Sequence, residues 1–347
     1  MSEKLISLIS HLFNLEEARL ARHLSFIYPK TQKQIARKSG TPPDVLASLL
    51  EEMRRKRVII SVSNRFMLYP LIPGIFEHIL MSDETGAWHG EYAKRTNELF
   101  DTGYLEDYFA RPVNAVRSIP VLRAVETGGI IADTDLVSEL IDSHTHFGVY
   151  HRCACRNAMH LTGHACRRAS HMEGCLAFGE YSLGIEKEGK GRSISREELN
   201  DIVEERRSHN LVFLTSNVVP SAQTALCTCC DCCCRGLKIH NSYGGNLLAP
   251  PRAIAHIDES RCTNCGGCES ACNTHAHSSV NGKHFYTQRL CIGCGNCVSA
   301  CGSNAIYMKE NAGYRTPSRS YARLIANVLP PVFLTGITIK LKRLFSG

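Results

Sequence analysis

Residues 262–272 read CTNCGGCESAC and residues 291–301 read CIGCGNCVSAC. Both runs have the spacing CxxCxxCxxxC, a pattern specific enough that two identical copies in one chain mark a repeated ligand unit. In such a run the first three cysteines wrap one set of irons in a tight turn. Gly266, Gly267, Gly293 and Gly295 would let the backbone approach sulfide there. The fourth cysteine begins a helical turn and reaches across to the other centre. One 4Fe-4S cluster is therefore expected on Cys262, Cys265, Cys268 and Cys301, and a second on Cys291, Cys294, Cys297 and Cys272. Zinc is the alternative, but it asks for four ligands in paired CxxC or Cys/His groups. Eight cysteines in two matching runs favour iron and sulfide.

Around these runs, strand-like segments at 255–258 and 305–309 and a hairpin turn at Asn281 and Gly282 predict a pseudo-twofold sheet-and-helix unit. Over residues 252–310 the chain resembles the bacterial two-cluster ferredoxin domain. That family usually places proline after each fourth cysteine, where this chain has Asn273 and Gly302. The ligand set is intact, while local rigidity and potential are open to change.

Ten further cysteines precede the pair. Cys153, Cys155, Cys166 and Cys175 form a spread group among Arg152, Arg156, Arg167 and Arg168. Cys227, Cys229, Cys230, Cys232, Cys233 and Cys234 form the run CTCCDCCC, where adjacent side chains cannot all face one ion. Six exposed thiols would be hazardous, so the run is expected to be occupied. Two arrangements stay open: each group holds one more cubane with two cysteines to spare, or both groups share ligands around one or two unusual clusters. Structural zinc is the rival for the CxC group. His144, His146, His151, His160, His164 and His171 are spaced too irregularly to single out a ligand.

The composition, 44% hydrophobic and 21% charged over 347 residues, is that of a folded protein of two or three domains. The formal charge of +7 counts all 18 cysteines as neutral. Two cubanes at about −2 each would offset roughly four of those charges, so basicity argues little for nucleic acid. Met1–Leu24 lacks an apolar h-region, so a reducing cytoplasm is expected, where dense cysteines read as metal or redox ligands rather than disulfides.

The expected fold class is α+β, with five regions. Residues 1–75 resemble a winged helix: a helix capped by Asn14 with Glu17 and running to about Tyr28, a helix from Gln32 to Lys38 ending at Gly40, a third after Pro42 and Pro43, and a hairpin around Ser63 and Asn64. The basic end of the third helix, Arg54–Arg57, reads either as a DNA contact or as a solvated helix terminus. Residues 76–150 are expected to be a helical connection whose aromatics (Phe76, Trp88, Tyr92, Phe100, Tyr104, Tyr108, Phe109) are mostly core, with a strand starting at Pro120–Val121 and a helix at 135–142. Residues 151–250 are expected to be a cysteine-rich α/β region with a helix at 196–208 capped by Ser195, then a strand at 211–214. Residues 251–312 are the two-cluster domain. Residues 313–347 are a tail whose apolar stretch, 326–339, falls short of the roughly 20 residues a membrane span needs. With Lys340, Lys342 and Arg343 it suits peripheral contact with a membrane or a partner.

Taken in order, HRCACR, GCLAFGEYS, GRSISREEL, CTCCDCCC and the two ferredoxin motifs resemble a family of 4Fe-4S ferredoxin-type proteins from anaerobic bacteria and archaea, over most of residues 14–310. The resemblance implies iron-sulfur redox work without a particular substrate. The leading expectation is an electron-transfer protein or reductase subunit that exchanges electrons with a flavoprotein or another iron-sulfur protein. A redox-sensing DNA-binding regulator and a cluster or sulfur scaffold are the rivals. No GxxxxGKS/T or GxGxxG stretch points to nucleotide binding.

Overall fold

The computed structural model describes residues 3–26, 28–62, 64–70, 74–81, 83–104, 111–120, 137–243, 247–331 and 334. Tyr108, Phe109, Val121, Asp135 and the basic residues Lys340, Lys342 and Arg343 lie outside them. The chain forms two compact units, Met1–Thr102 with Arg152–Ala165, and Gly103–His151 with Cys166–Gly347.

In the first unit, Asn14 caps helix Leu15–Ala21 with both bonds of a capping box: its side chain accepts from the Glu17 N–H, and the Glu17 carboxylate accepts from the Asn14 N–H. This helix stops well before Tyr28, because the chain must turn for Lys30 to pair with Phe66 in a three-stranded sheet. Helix Glu3–Leu12 comes before it. Helix Gln32–Ser39 ends on Gly40 at φ 70°, the left-handed geometry that glycine adopts without strain, and helix Pro43–Arg55 starts with proline at its first position. Strands Ile59–Val62 and Arg65–Leu68 form the expected hairpin. Leu8, Leu20, Ile35, Leu46, Leu50 and Met53 are buried in this unit. Helix Ala87–Phe100 packs on Glu3–Leu12 and on Ala154–Leu161, burying Tyr92 and Leu99.

The basic end of Pro43–Arg55 is largely neutralised. Arg54 pairs with Glu51 and Arg55 with Glu52, while the Lys56 Nζ lies 2.8 Å from both oxygens of Glu17, which is fully buried. Arg54, Arg55 and Lys56 thus each already face a carboxylate.

The second unit is built on a six-stranded sheet in the order Val116–Ile119, Val212–Ser216, Ala225–Cys229, Leu176–Phe178, Phe147–Tyr150, Gly191–Ile194. Every named pair in it is antiparallel, so the region expected to be α/β is α+β in its strand pairing. A strand forms at Val116–Ile119, ahead of Pro120, while the strand expected from Val121 onward lies outside the described residues, and the predicted helix at 135–142 is described over Val137–Asp142. Helix Arg196–Ser208 is capped by Ser195, which accepts from the Glu198 N–H. The Glu198 carboxylate bonds Arg192 instead of completing the box.

Alternation along the strands separates two apolar layers. Phe147, Leu176, Phe178, Phe213 and Leu226 pack with Leu140, Leu199 and Val203. Val212, Leu214 and Cys229 pack on the opposite layer with Cys234, Leu237 and Ile292. Among the described residues no helix is long and apolar enough to cross a membrane.

Replacing Lys56 by methionine leaves the Glu17 carboxylate buried with its cation gone. The expected cost is about 3 kcal/mol, read from urea unfolding followed by the fluorescence of Trp88, the chain's one tryptophan and a residue of this unit. A loss under about 0.5 kcal/mol would show that the pair is not holding the unit together.

Candidate metal centres

The repeat that opens the sequence folds as two matching halves. Strand Ala253–Ile257 pairs with Ile306–Glu310, Ala255 standing opposite Met308. The hairpin His277–Val280 and Lys283–Tyr286 turns at Asn281 (φ 52°) and Gly282 (φ 73°), as the Asn-Gly pair predicts. Helices Gly267–Ala271 and Asn296–Ser299 each follow a left-handed glycine, Gly266 and Gly295. Not every glycine serves approach to sulfide. A Cβ on Gly293 would lie 2.3 Å from the Ala253 carbonyl oxygen, at φ 71°, so that residue lets strand Ala253–Ile257 reach the second motif.

One cavity is lined by Cys262, Cys265, Cys268 and Cys301, the four residues assigned together from spacing. Cys272 lies close enough to Cys294 and Cys297 to raise the charge cost at both. The fourth cysteine of each run therefore stands with the other run.

The two sets differ in environment. At the first, Cys265 is exposed, and the Gly267 N–H and the Thr263 hydroxyl hold its thiol below the usual range. Burial raises Cys301, but the Ser303 hydroxyl and the N–H groups of Ala305, Ile306 and Ser303 outweigh it, and the net shift is downward. Burial pushes Cys268 up to about 11. At the second set, burial pushes Cys294 up to about 12 and raises Cys297 as well. The first set holds an exposed ligand and is rich in N–H and O–H donors, and the second, with Cys272 and Cys297 buried, is the more buried of the two.

Two histidines that spacing did not single out sit at the first set. The His284 Nδ1 is 4.0 Å from the Cys262 Sγ, and its Nε2 is 2.9 Å from His277 Nδ1. Both project from one face of the Asn281–Gly282 hairpin, which period-two reading of the strands would have shown.

Asn273, in place of the resembled family's proline, is 1% exposed and bonded throughout. Its Oδ1 accepts from the Asp231 N–H at 3.0 Å, and its Nδ2 donates to the carbonyls of Asn210 at 2.6 Å and Ala271 at 3.3 Å. Asn296 of the second motif donates to the same Asn210 carbonyl at 2.9 Å. The His240 Nε2–H bonds the Leu290 carbonyl at 3.0 Å. These contacts join the repeat to the sheet. Nothing in the structure explains Gly302.

The ten remaining cysteines regroup. Cys153 and Cys155 belong to the first unit, where Cys153 is the N-cap of helix Ala154–Leu161. Cys166 and Cys175 belong to the second. The run CTCCDCCC splits at a tight turn. Cys227 and Cys229, two apart on strand Ala225–Cys229, face the same layer as Cys234, and Cys229 is hydrogen-bonded to both. Leu176 pairs with Leu226, so extending the register by one residue sets Cys175 opposite Cys227. Cys230, Cys232 and Cys233 face the other way and meet Cys166. None of the 18 cysteines is in a disulfide. The Cys294 side chain packs against the same apolar layer as Cys227, Cys229 and Cys234.

Residues 261–306 match the family model of the 4Fe-4S dicluster domain. A comparison with curated protein sequences finds no match to the chain. The matched domain and the clustered thiols together support an iron-sulfur protein of ferredoxin type.

Gly293→Ala should displace the second motif from strand Ala253–Ile257 and lower iron from about eight to about four atoms per chain in anaerobically isolated protein. Retention of all eight would show that the strand contact is dispensable. Asn273→Leu keeps every cysteine but strands the Asp231 N–H. Anaerobic denaturation should show a loss of about 2 kcal/mol with iron content unchanged.

Proposed function

We propose that this chain relays single electrons between a redox partner protein and a buried thiol site, through two 4Fe-4S clusters held by Cys262, Cys265, Cys268 and Cys301 and by Cys291, Cys294, Cys297 and Cys272. When bound, each cluster supplies reversible one-electron storage. The observation that carries the reading is the packing of Cys294 against the apolar layer that contains Cys227, Cys229 and Cys234. A cluster ligand and a group of thiols share one apolar layer, which is where electron exchange between them is shortest. Exposed Cys265 marks the opposite end, open to a flavoprotein or another iron-sulfur protein. Cys175, Cys227, Cys229 and Cys234 form the receiving site, either as thiols or as ligands of a further cluster.

The environments order the two steps. Adding an electron to an already anionic cluster costs more in a dry site than in a solvated one rich in hydrogen-bond donors. The set around Cys294 is therefore the lower-potential one. The N-terminal unit serves as a docking module for the partner, since its basic run is already paired with Glu51, Glu52 and Glu17. Among the readings, DNA regulation is disfavoured by that pairing.

An anaerobic redox titration followed by electron paramagnetic resonance tests the proposal. Two one-electron steps are expected. Cys265→Ser should shift the higher step, and Cys229→Ser should alter the lower step while leaving the higher one in place. Absence of iron, or insensitivity of both steps to Cys229→Ser, would defeat it.

A further inference from the structure

The loop after Ala165 and the turn after Cys229 bring four thiols together, and we propose that Cys166, Cys230, Cys232 and Cys233 form a tetrahedral site for a single zinc ion, separate from the electron path. All four sulfurs lie within 4.8 Å of one another. The Cys166 Sγ is 3.7 Å from Cys230 and 3.6 Å from Cys232, and Cys232 is 3.6 Å from Cys233. Four thiolates bound about 2.3 Å from one zinc stand about 3.8 Å apart in a tetrahedron. A cubane puts each thiolate on a different iron, so its ligands stand much farther apart. The spacing selects one ion. Among divalent metals that accept four thiolates, affinity rises from iron to zinc, which selects zinc.

The backbone explains how neighbouring cysteines share an ion. The Cys234 N–H closes a tight turn onto the Cys230 carbonyl at 3.1 Å, which sends Cys232 and Cys233 to the side of Cys230 and returns Cys234 to the apolar layer. The surroundings suit a dianionic tetrathiolate site. The Arg168 N–H donates to the Cys166 Sγ at 3.5 Å, and the Arg167 guanidinium bonds Cys232. Asp231, in the middle of the ligand turn, accepts from Arg168 Nε at 2.7 Å and from Arg167 Nη2 at 3.1 Å, which fixes both cations beside the sulfurs.

The ion's work is to hold a loop. Residues 164–171 contain no helix or strand, and Cys166 is 64 residues from Cys230. A zinc crosslink supplies the fixed geometry that an apolar core does not provide there. Asp231 then passes that geometry to Asn273, and Arg168 donates to the Ser270 carbonyl at 3.2 Å. The run CTCCDCCC thus divides its labour: Cys230, Cys232 and Cys233 bind a redox-inert ion, while Cys227, Cys229 and Cys234 face the electron path.

The test is metal analysis of the full chain, expressed with both zinc and iron supplied and isolated anaerobically. The expected result is about one zinc per chain in addition to cluster iron, with X-ray absorption at the zinc edge showing four sulfurs at about 2.3 Å. Cys166→Ser combined with Cys232→Ser should lower zinc at least about tenfold and leave iron unchanged. Wild-type protein without zinc, zinc bound by nitrogen or oxygen, or a variant that loses iron in place of zinc would each overturn the proposal. The zinc-edge spectrum of the wild type decides the matter even if the variant does not fold. Because the readout is zinc, its failure is distinguishable from failure of the electron-relay reading, which is judged by paramagnetic iron.

Discussion

The side-chain amide of Asn273 holds three backbone groups at once: the N–H of Asp231 and the carbonyls of Asn210 and Ala271. An amide can do this because it carries both donors and an acceptor, whereas proline at that position could supply neither. Burying such a group unpaired would be costly, so the three segments are fixed relative to one another wherever the amide is buried. Asn296 repeats the contact to the Asn210 carbonyl from the second motif. The repeat is thereby seated on the turn between helix Arg196–Ser208 and strand Val212–Ser216, and that seating puts Cys294 on the sheet's apolar layer.

A second constraint follows from strand geometry. Because successive side chains on Ala225–Cys229 point to opposite faces, Cys227 and Cys229 share a layer and Leu226 packs on the other. The turn from Cys230 then breaks the alternation. Six thiols that look equivalent along the chain so acquire two addresses, one in the apolar layer beside Cys294 and one facing Cys166, Arg167 and Arg168. The surroundings differ between the addresses, apolar side chains at one and two arginines held by Asp231 at the other.

In the first unit a buried ion pair performs a comparable task. Glu17 completes the cap of its own helix and receives Lys56 from the end of helix Pro43–Arg55. The same bond explains why a basic run is not a basic surface. Charge counted along a sequence says nothing about which cations have partners in space, and here Glu17 lies 39 residues from its lysine.

Features with local causes can be read directly along the chain. The caps at Asn14 and Ser195, the helix stop at Gly40, the Asn281–Gly282 turn and the two CxxCxxCxxxC runs each arise within a few residues, and spacing alone reveals them. The split of CTCCDCCC was foreseeable to the extent that neighbours on a chain cannot all converge on one ion. Which cysteines go where was not, because Cys166 meets Cys230 across 64 residues and Cys153 and Cys155 fall in the other compact unit. The role of Asn273 was equally hidden: in the sequence it is a missing proline. It joins the repeated cysteine motifs to the rest of the second unit because folding brings Asn210, Asp231 and Ala271 within hydrogen-bonding reach of one amide.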